Sequence, residues 1–214
     1  MEPEKKYQEV LDTLLKLTPL EERIFTLLRD FLKDKLPDTT PRVVGGWLRD
    51  KLFGLESDDI DISLDNISGL KFAKMVQDYM LEKGLAKSPS ECKVTENPAQ
   101  SEHLETATIM IFGLEIDLVK LRKETYNEQN RIPELSPGTP LDDALRRDLT
   151  INALFYELKG NKIEDLTGKG IEDLNKRVAR TVIGAKESFS QDPLRILRIY
   201  RFASRYELTL DGDI

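Results

Sequence analysis

The chain has 214 residues, 39% of them hydrophobic and 33% charged, which suits an ordinary globular protein of one large domain or two small ones. The lone Cys92 excludes an internal disulfide, and no apolar run approaches the roughly 18 residues that span a bilayer. The net charge of −7 speaks against a nucleic-acid partner when taken alone, but eight basic residues face two acidic ones between Lys176 and Arg205, and a local basic surface binds phosphates whatever the total.

Residues 4–17 alternate charge and Leu at helical spacing. Thr18-Pro19-Leu20-Glu21 is a capping box with Pro at the first helical position, and it predicts a helix to about Leu36. Arg42-Val43-Val44 reads as a short buried strand ending at Gly45-Gly46, Trp47 to Phe53 as a short helix, and Asp58 to Leu64 as a second strand. Leu70 to Lys83 is amphipathic, with Gly84 as its stop. Residues 85–101 are polar and take no assignment. Thr106 to Phe112 and Leu114 to Leu121 form a hairpin about Gly113, and residues 122–140 read as a long loop. Leu141 to Leu154 reads as a helix, Phe155 to Asp165 as a hairpin about Gly160-Asn161, and Asp192 to Tyr206 as a helix. The fold class expected is α+β: a small mixed sheet with flanking helices over residues 1–150, then a mainly helical region over 151–214.

Chemistry concentrates in four places. The Gly45-Gly46 pair between a strand and a helix lets backbone approach a phosphate beside unpaired N–H groups, and Arg49 stands one turn in. Asp59 and Asp61 are two apart on a strand and so share a face, while Asp58 faces away. Two carboxylates beside a phosphate-binding turn suit a pair of Mg²⁺ ions. Either half alone reads as a tight turn or a solvated strand face; together they favour a site. Asp117, on a strand of apolar neighbours, is the candidate third carboxylate, with a hairpin-edge charge as its bland alternative. Arg147 and Asp148 form a weak candidate ribose clamp. Arg195, Arg198, Arg201 and Arg205 are spaced to share one helical face, with Leu194, Leu197 and Phe202 pointing elsewhere. Trp47 is expected to pack the short helix onto the sheet, and Cys92 and His103 attract no role.

Gly-Gly-Trp-Leu-Arg-Asp with Asp-Ile-Asp, Leu-Arg-Arg-Asp-Leu-Thr-Ile-Asn-Ala-Leu, and Asp-Pro-Leu-Arg-Ile-Leu-Arg-x-x-Arg-Phe, in this order, resemble the motifs of the class II tRNA nucleotidyltransferases, the CCA-adding enzymes. Bacterial poly(A) polymerases share the pattern. The resemblance covers about residues 40–210, and Glu-Ile-Asp-Leu-Val-Lys-Leu-Arg-Lys-Glu-Thr-Tyr is similar to the eukaryotic-type branch. It implies a polymerase β-like nucleotidyltransferase head followed by a neck, adding CCA to tRNA 3′ ends from CTP and ATP. Asp59 and Asp61 would bind Mg²⁺, with Asp117 as the third carboxylate. Gly45, Gly46 and Arg49 would contact the triphosphate, and Arg147 and Asp148 would select the ribose. Residues 122–140 would help to switch from CTP to ATP. Asp192 and Arg195 would template the base, supported by Arg198 and Arg201.

The template role agrees with base chemistry. An Asp accepts from the exocyclic amine of C or A and an Arg donates to the adjacent ring nitrogen, whereas U and G present the opposite polarity. Each unsatisfied group costs about 1–3 kcal/mol. Two departures stand out. Gln191 occupies a position where many members carry Glu, and the chain stops at Ile214, where the family's tRNA-gripping helical body would follow. The alternatives are a poly(A) polymerase of the same superfamily and a non-catalytic nucleotide- or RNA-binding module. The expected compartment is cytosol or nucleus, with mitochondria open, and the oligomeric state is not legible.

Overall fold

The structure is a computed structural model that describes residues 14–97, 106–127 and 130–214. The helix expected over 4–17 falls almost wholly outside them, as does His103. Two compact units emerge: residues 1–120 with 155–163, and residues 121–154 with 164–214. The polypeptide therefore leaves the first unit and returns to it, so the units interleave along the chain instead of following one another.

The first unit is built on a mixed sheet of seven strands in the order β3-β4-β5-β2-β1-β8-β9. These are β1 (Arg42–Val44), β2 (Ile60–Leu64), β3 (Val94–Asn97), β4 (Thr106–Ile111), β5 (Leu114–Lys120), β8 (Phe155–Glu157) and β9 (Lys162–Glu164). β1 runs antiparallel to β2 and β8, and β2 runs parallel to β5. Period-2 alternation buries Ile60 and Ile62, Ala107 and Ile109, and Ile116 and Leu118. The β4–β5 hairpin and the β8–β9 hairpin lie where the residue pattern expects them.

Helix α1 (Pro19–Lys35) starts at the expected capping box: Thr18 Oγ1 accepts from the Glu21 amide, and the Glu21 carboxylate accepts from the Thr18 amide at 2.7 Å. It buries Ile24, Phe25, Leu28, Phe31 and Leu32. Helix α2 (Gly46–Leu52) follows the glycine pair, and α3 (Gly69–Glu82) ends just before Gly84, which takes the left-handed φ of 67°. Phe31 meets Phe72 and Tyr79 of α3 edge-on at 5.4 and 5.5 Å, and Phe25 meets Trp47 at 5.5 Å. Trp47 is wholly buried and packs as expected.

The second unit departs more from the expected pattern. Residues 122–140 are not a loop: β6 (Arg122–Asn127) and β7 (Asn130–Pro137) pair antiparallel, with Lys123 opposite Ser136 and a bulge near Tyr126. The strands form an isolated two-stranded ribbon, in which prolines and a polar sequence are tolerated because no neighbour needs the edge N–H groups. The ribbon closes at Gly138, where a Cβ would lie 2.6 Å from the Arg122 carbonyl carbon. The helix expected over 141–154 is also broken. A short α4 (Pro140–Leu145) ends, and a 3₁₀ turn (Thr150–Asn152) follows. Tertiary partners take the intervening backbone: the Thr150 amide donates to the Arg180 carbonyl at 2.9 Å, and Leu149 bridges Thr181. Then come α5 (Gly170–Lys176), β10 (Val178–Ala179), α6 (Ala185–Gln191), α7 (Leu194–Tyr206) and β11 (Thr209–Leu210), which pairs parallel with β10. Among the described residues no helix is long and apolar enough to cross a membrane.

Candidate active site

Gly45 is the hinge between β1 and α2. Its φ of 80° and ψ of −140° belong to a region that only glycine occupies at low cost. Gly46 opens α2, and a Cβ there would sit 3.1 Å from Arg49 Nη2. The Arg49 guanidinium is therefore folded against the turn, buried, and donates from Nε and Nη2 to Asp50 Oδ1 at 2.9 and 2.8 Å.

The carboxylates gather at the start of β2 and β5. In the parallel register Asp61 stands opposite Asp117, with Ile60 opposite Ile116 and Ile62 opposite Leu118. The apolar partners point into the core, and alternation sends the acidic pair to the other face. Asp59 precedes the strand. A cavity of about 340 Å³ is lined by Asp58, Asp59, Ile60, Leu114, Glu115 and Asp117. Asp117 Oδ1 accepts from Thr108 Oγ1 at 2.6 Å. Asp58 was expected to face away. It shares the cavity because β2 begins only at Ile60, so pleat alternation does not govern the residues before it. Asp58 and Glu115 are the acids at this cavity that sequence reasoning left out; the Glu115-x-Asp117 spacing on one strand was the available signal for the second.

All of these donors are carboxylate oxygens, hard ligands that suit a small divalent cation. Among the described residues no three or more His, Cys, Asp or Glu side chains already converge on one ion position. The fit therefore rests on donor chemistry and strand register.

In the second unit, Asp143 on α4 takes two guanidinia. Arg146 Nε donates to Oδ1 at 2.8 Å, and Arg147 Nη2 to Oδ2 at 2.7 Å. Burial pushes the Asp143 carboxyl up, but Arg147 and Arg146 outweigh it and hold the group below the usual carboxylate range. Asp148 behaves alike: burial raises it, while hydrogen bonds from Asn152 and the Leu149 amide and the nearby Arg198 hold it low. Arg198 Nε meets Asp148 Oδ2 at 2.8 Å. A depressed folded pKa contributes stability that is complete above the unfolded value, about 3.9 for Asp, and lost as pH falls through the folded value. Asp143→Asn removes the buried partner of two guanidinia and is accordingly expected to cost about 3–5 kcal/mol at neutral pH. Urea midpoints at pH 7, 5 and 3 should show the gap to wild type narrowing below about pH 4; a gap of constant size would rule the linkage out.

Helix α7 corrects one expectation. Its four arginines do not share an environment. Arg195 lies on the buried face with Ile199, Phe202 and Tyr206, at 4% exposure, while Arg198, Arg201 and Arg205 are exposed. The 3-3-4 spacing spreads the four over more than a quarter turn, enough to carry the first of them onto the packed face. Leu194 and Leu197 are 65% and 69% exposed, and Phe202 is the buried one of the three apolar residues.

Asp192 ends α6, and its Oδ1 accepts from the Leu194 amide at 2.9 Å, which starts α7. Beside it a cavity of about 770 Å³ is walled by Glu124, Tyr126 and Pro133 of the ribbon and by Phe189, Gln191 and Asp192. Burial and a 2.9 Å hydrogen bond to Glu124 push the Tyr126 phenol up to about 12. The structure thus brings Asp59, Asp61 and Asp117 together in the first unit with the Gly45-Gly46 turn and Arg49. Arg147, Asp148, Asp192, Arg195, Arg198 and Arg201 belong to the second.

Residues 41–180 match the family model described as the poly A polymerase head domain. The chain is 45% identical over 208 residues to the mitochondrial CCA tRNA nucleotidyltransferase of Saccharomyces cerevisiae, covering 92% of this chain and 38% of that one. Among solved structures, a CCA-adding enzyme in an apo form superimposes with a TM-score of 0.78 at 28% identity, over 94% of this chain and 44% of the other. A complex of a CCA-adding enzyme with ATP gives 0.71 at 27% identity, over 94% and 42%. The chain thus spans less than half the length of these relatives.

Proposed function

The chain belongs to the poly(A) polymerase head-domain family, and we propose that it carries the catalytic and base-reading part of an enzyme that adds CCA to the 3′ end of tRNA from CTP and ATP. Nucleotidyltransferases of this family use divalent metals. The observation that carries the reading is the register pairing of Asp61 with Asp117 on parallel strands, with Asp59 one step before β2.

Asp59 and Asp61 would hold Mg²⁺, with Asp117 as the third carboxylate, and the ion would supply charge neutralisation for the triphosphate and make a 3′-hydroxyl more acidic. The Gly45-Gly46 turn brings backbone to the triphosphate without a side chain in the way, and Arg49 beneath it adds positive charge. Arg147 and Asp148 address the ribose. Asp192 and Arg195 read the base edge, with Arg198 and Arg201 supporting the nucleotide. The ribbon β6–β7 is the element proposed to adjust the site between CTP and ATP; its Tyr126 and Glu124 line the cavity beside Asp192. A head over residues 1–150 and a neck over 151–214 remain the proposed functional division, but it differs from the compact units, in which residues 121–154 group with 164–214 and residues 155–163 group with the first unit. The named yeast relative is mitochondrial, which supports mitochondria beside cytosol and nucleus as the place of action.

The test is incubation with tRNA lacking its CCA and each triphosphate separately. The expected result is two C additions followed by one A, with no U or G. Long A tracts without C would assign a poly(A) polymerase instead.

A further inference from the structure

The base reader proposed above depends on where the Arg195 guanidinium points, and the structure shows what points it. Arg195 is 4% exposed. Among the described residues its hydrogen bonds go to three uncharged acceptors. Nη2 donates to the Arg146 carbonyl at 2.7 Å, and Nη1 donates to Ser188 Oγ at 3.0 Å and to Gln191 Oε1 at 3.4 Å. A buried guanidinium with no counter-ion is expensive unless its donors are met, so these acceptors decide its orientation. The Arg146 carbonyl is backbone and fixes one nitrogen only. A planar fork held at one nitrogen still rocks; a second bond at the other nitrogen stops it. The Gln191 contact is at the outer limit of a hydrogen bond. That leaves Ser188, which is completely buried, as the side chain that supplies the second bond at normal length.

We infer that Ser188 is the positioning residue for Arg195 and thereby sets base discrimination, a role that rests on the reading of Arg195 as base reader. Ser188 lies on α6, the short helix whose last turn also delivers Asp192. One helix therefore orients both halves of the reader: it presents the Asp192 carboxylate at its end and braces Arg195 from its middle across the Asp192-Pro193 break. A carboxylate at position 191 would brace Arg195 by charge. With Gln191 there instead, the neutral hydroxyl of Ser188 takes over the task.

The experiment measures kcat and KM for CTP and for UTP on tRNA lacking its CCA, with wild type, Ser188→Ala, and Ser188→Ala combined with Gln191→Glu. Thermal midpoints are recorded alongside. Ser188→Ala should reduce the preference for CTP over UTP roughly tenfold, as expected for loss of one hydrogen bond to a charged group, with the change mostly in KM. Gln191→Glu in that background should restore most of the preference, because it supplies a charged acceptor next to Nη1. A wild type that discriminates and a Ser188→Ala variant with unchanged preference would overturn the inference and leave the base-reading function standing. Equal losses for CTP and UTP that Gln191→Glu does not repair would reduce Ser188 to a structural residue and overturn it too. A wild type that accepts CTP and UTP alike would overturn both.

Discussion

Under the proposed metal-site reading, replacing Asp59 or Asp61 by alanine should lower nucleotide incorporation roughly a thousandfold, equivalent to about 4 kcal/mol of lost transition-state stabilisation, which is the scale of a metal ligand. The fold should survive. Asp59 is exposed at the mouth of a cavity that it shares with Asp58, Glu115 and Asp117, so its removal relieves repulsion among like charges. The thermal midpoint of Asp59→Ala should therefore equal or exceed that of wild type while the rate collapses. The two readouts moving in opposite directions separate a ligand from a packing residue. Incorporation that survives both substitutions would remove the metal site from this cavity.

Glu21→Ala should unfold the first unit at a temperature on the order of 10 °C lower than wild type. Glu21 is buried on α1, and one carboxylate does three jobs. Oε2 accepts from the Thr18 amide at 2.7 Å and pairs with Lys51 Nζ at 2.8 Å, while Oε1 accepts from Trp47 Nε1 at 2.8 Å. The Lys51 side chain is only 5% exposed. Removing Glu21 strands an ammonium ion in the interior, at about 3–5 kcal/mol, besides opening the helix cap. Lys51→Met in the same background should recover most of the loss, because the stranded charge goes with it. Calorimetry on the two singles and the double closes the cycle; additive losses would show that the two groups do not interact. Both Trp47 and Lys51 sit on α2, so Glu21 also ties the helix that follows the Gly45-Gly46 turn to α1.

Several of these features were readable before the fold was seen. The Gly45-Gly46 turn, the strand at Asp61 and the strand at Asp117 follow from local rules, because glycine conformation and strand alternation depend on near neighbours only. The capping box at Thr18 was legible as a helix start. What was not legible is that Glu21 reaches beyond its own helix to Trp47 and Lys51. The ribbon β6–β7 escaped for a related reason. Its polar residues and prolines carry no period-2 signal, since neither face of an isolated ribbon needs to be apolar throughout. The burial of Arg195 was hidden too. Helical spacing orders residues around an axis but does not say which side meets protein, and the acceptors that settle it come from Arg146 and Ser188.

The parallel pairing of β2 with β5 has a consequence for how the site comes into being. Parallel neighbours cannot be joined by a tight turn, and here the connection runs through α3, β3 and β4 before β5 can dock. Asp61 and Asp117 thus face one another only through contacts that are remote in the chain, the kind whose loop-closure entropy makes them form slowly. During synthesis the glycine turn and Asp59 leave the ribosome well before their partner strand exists. A nascent chain can shape the glycine turn early, yet Asp61 and Asp117 come together only once β5 has been made and docked, so the candidate metal site is withheld until then.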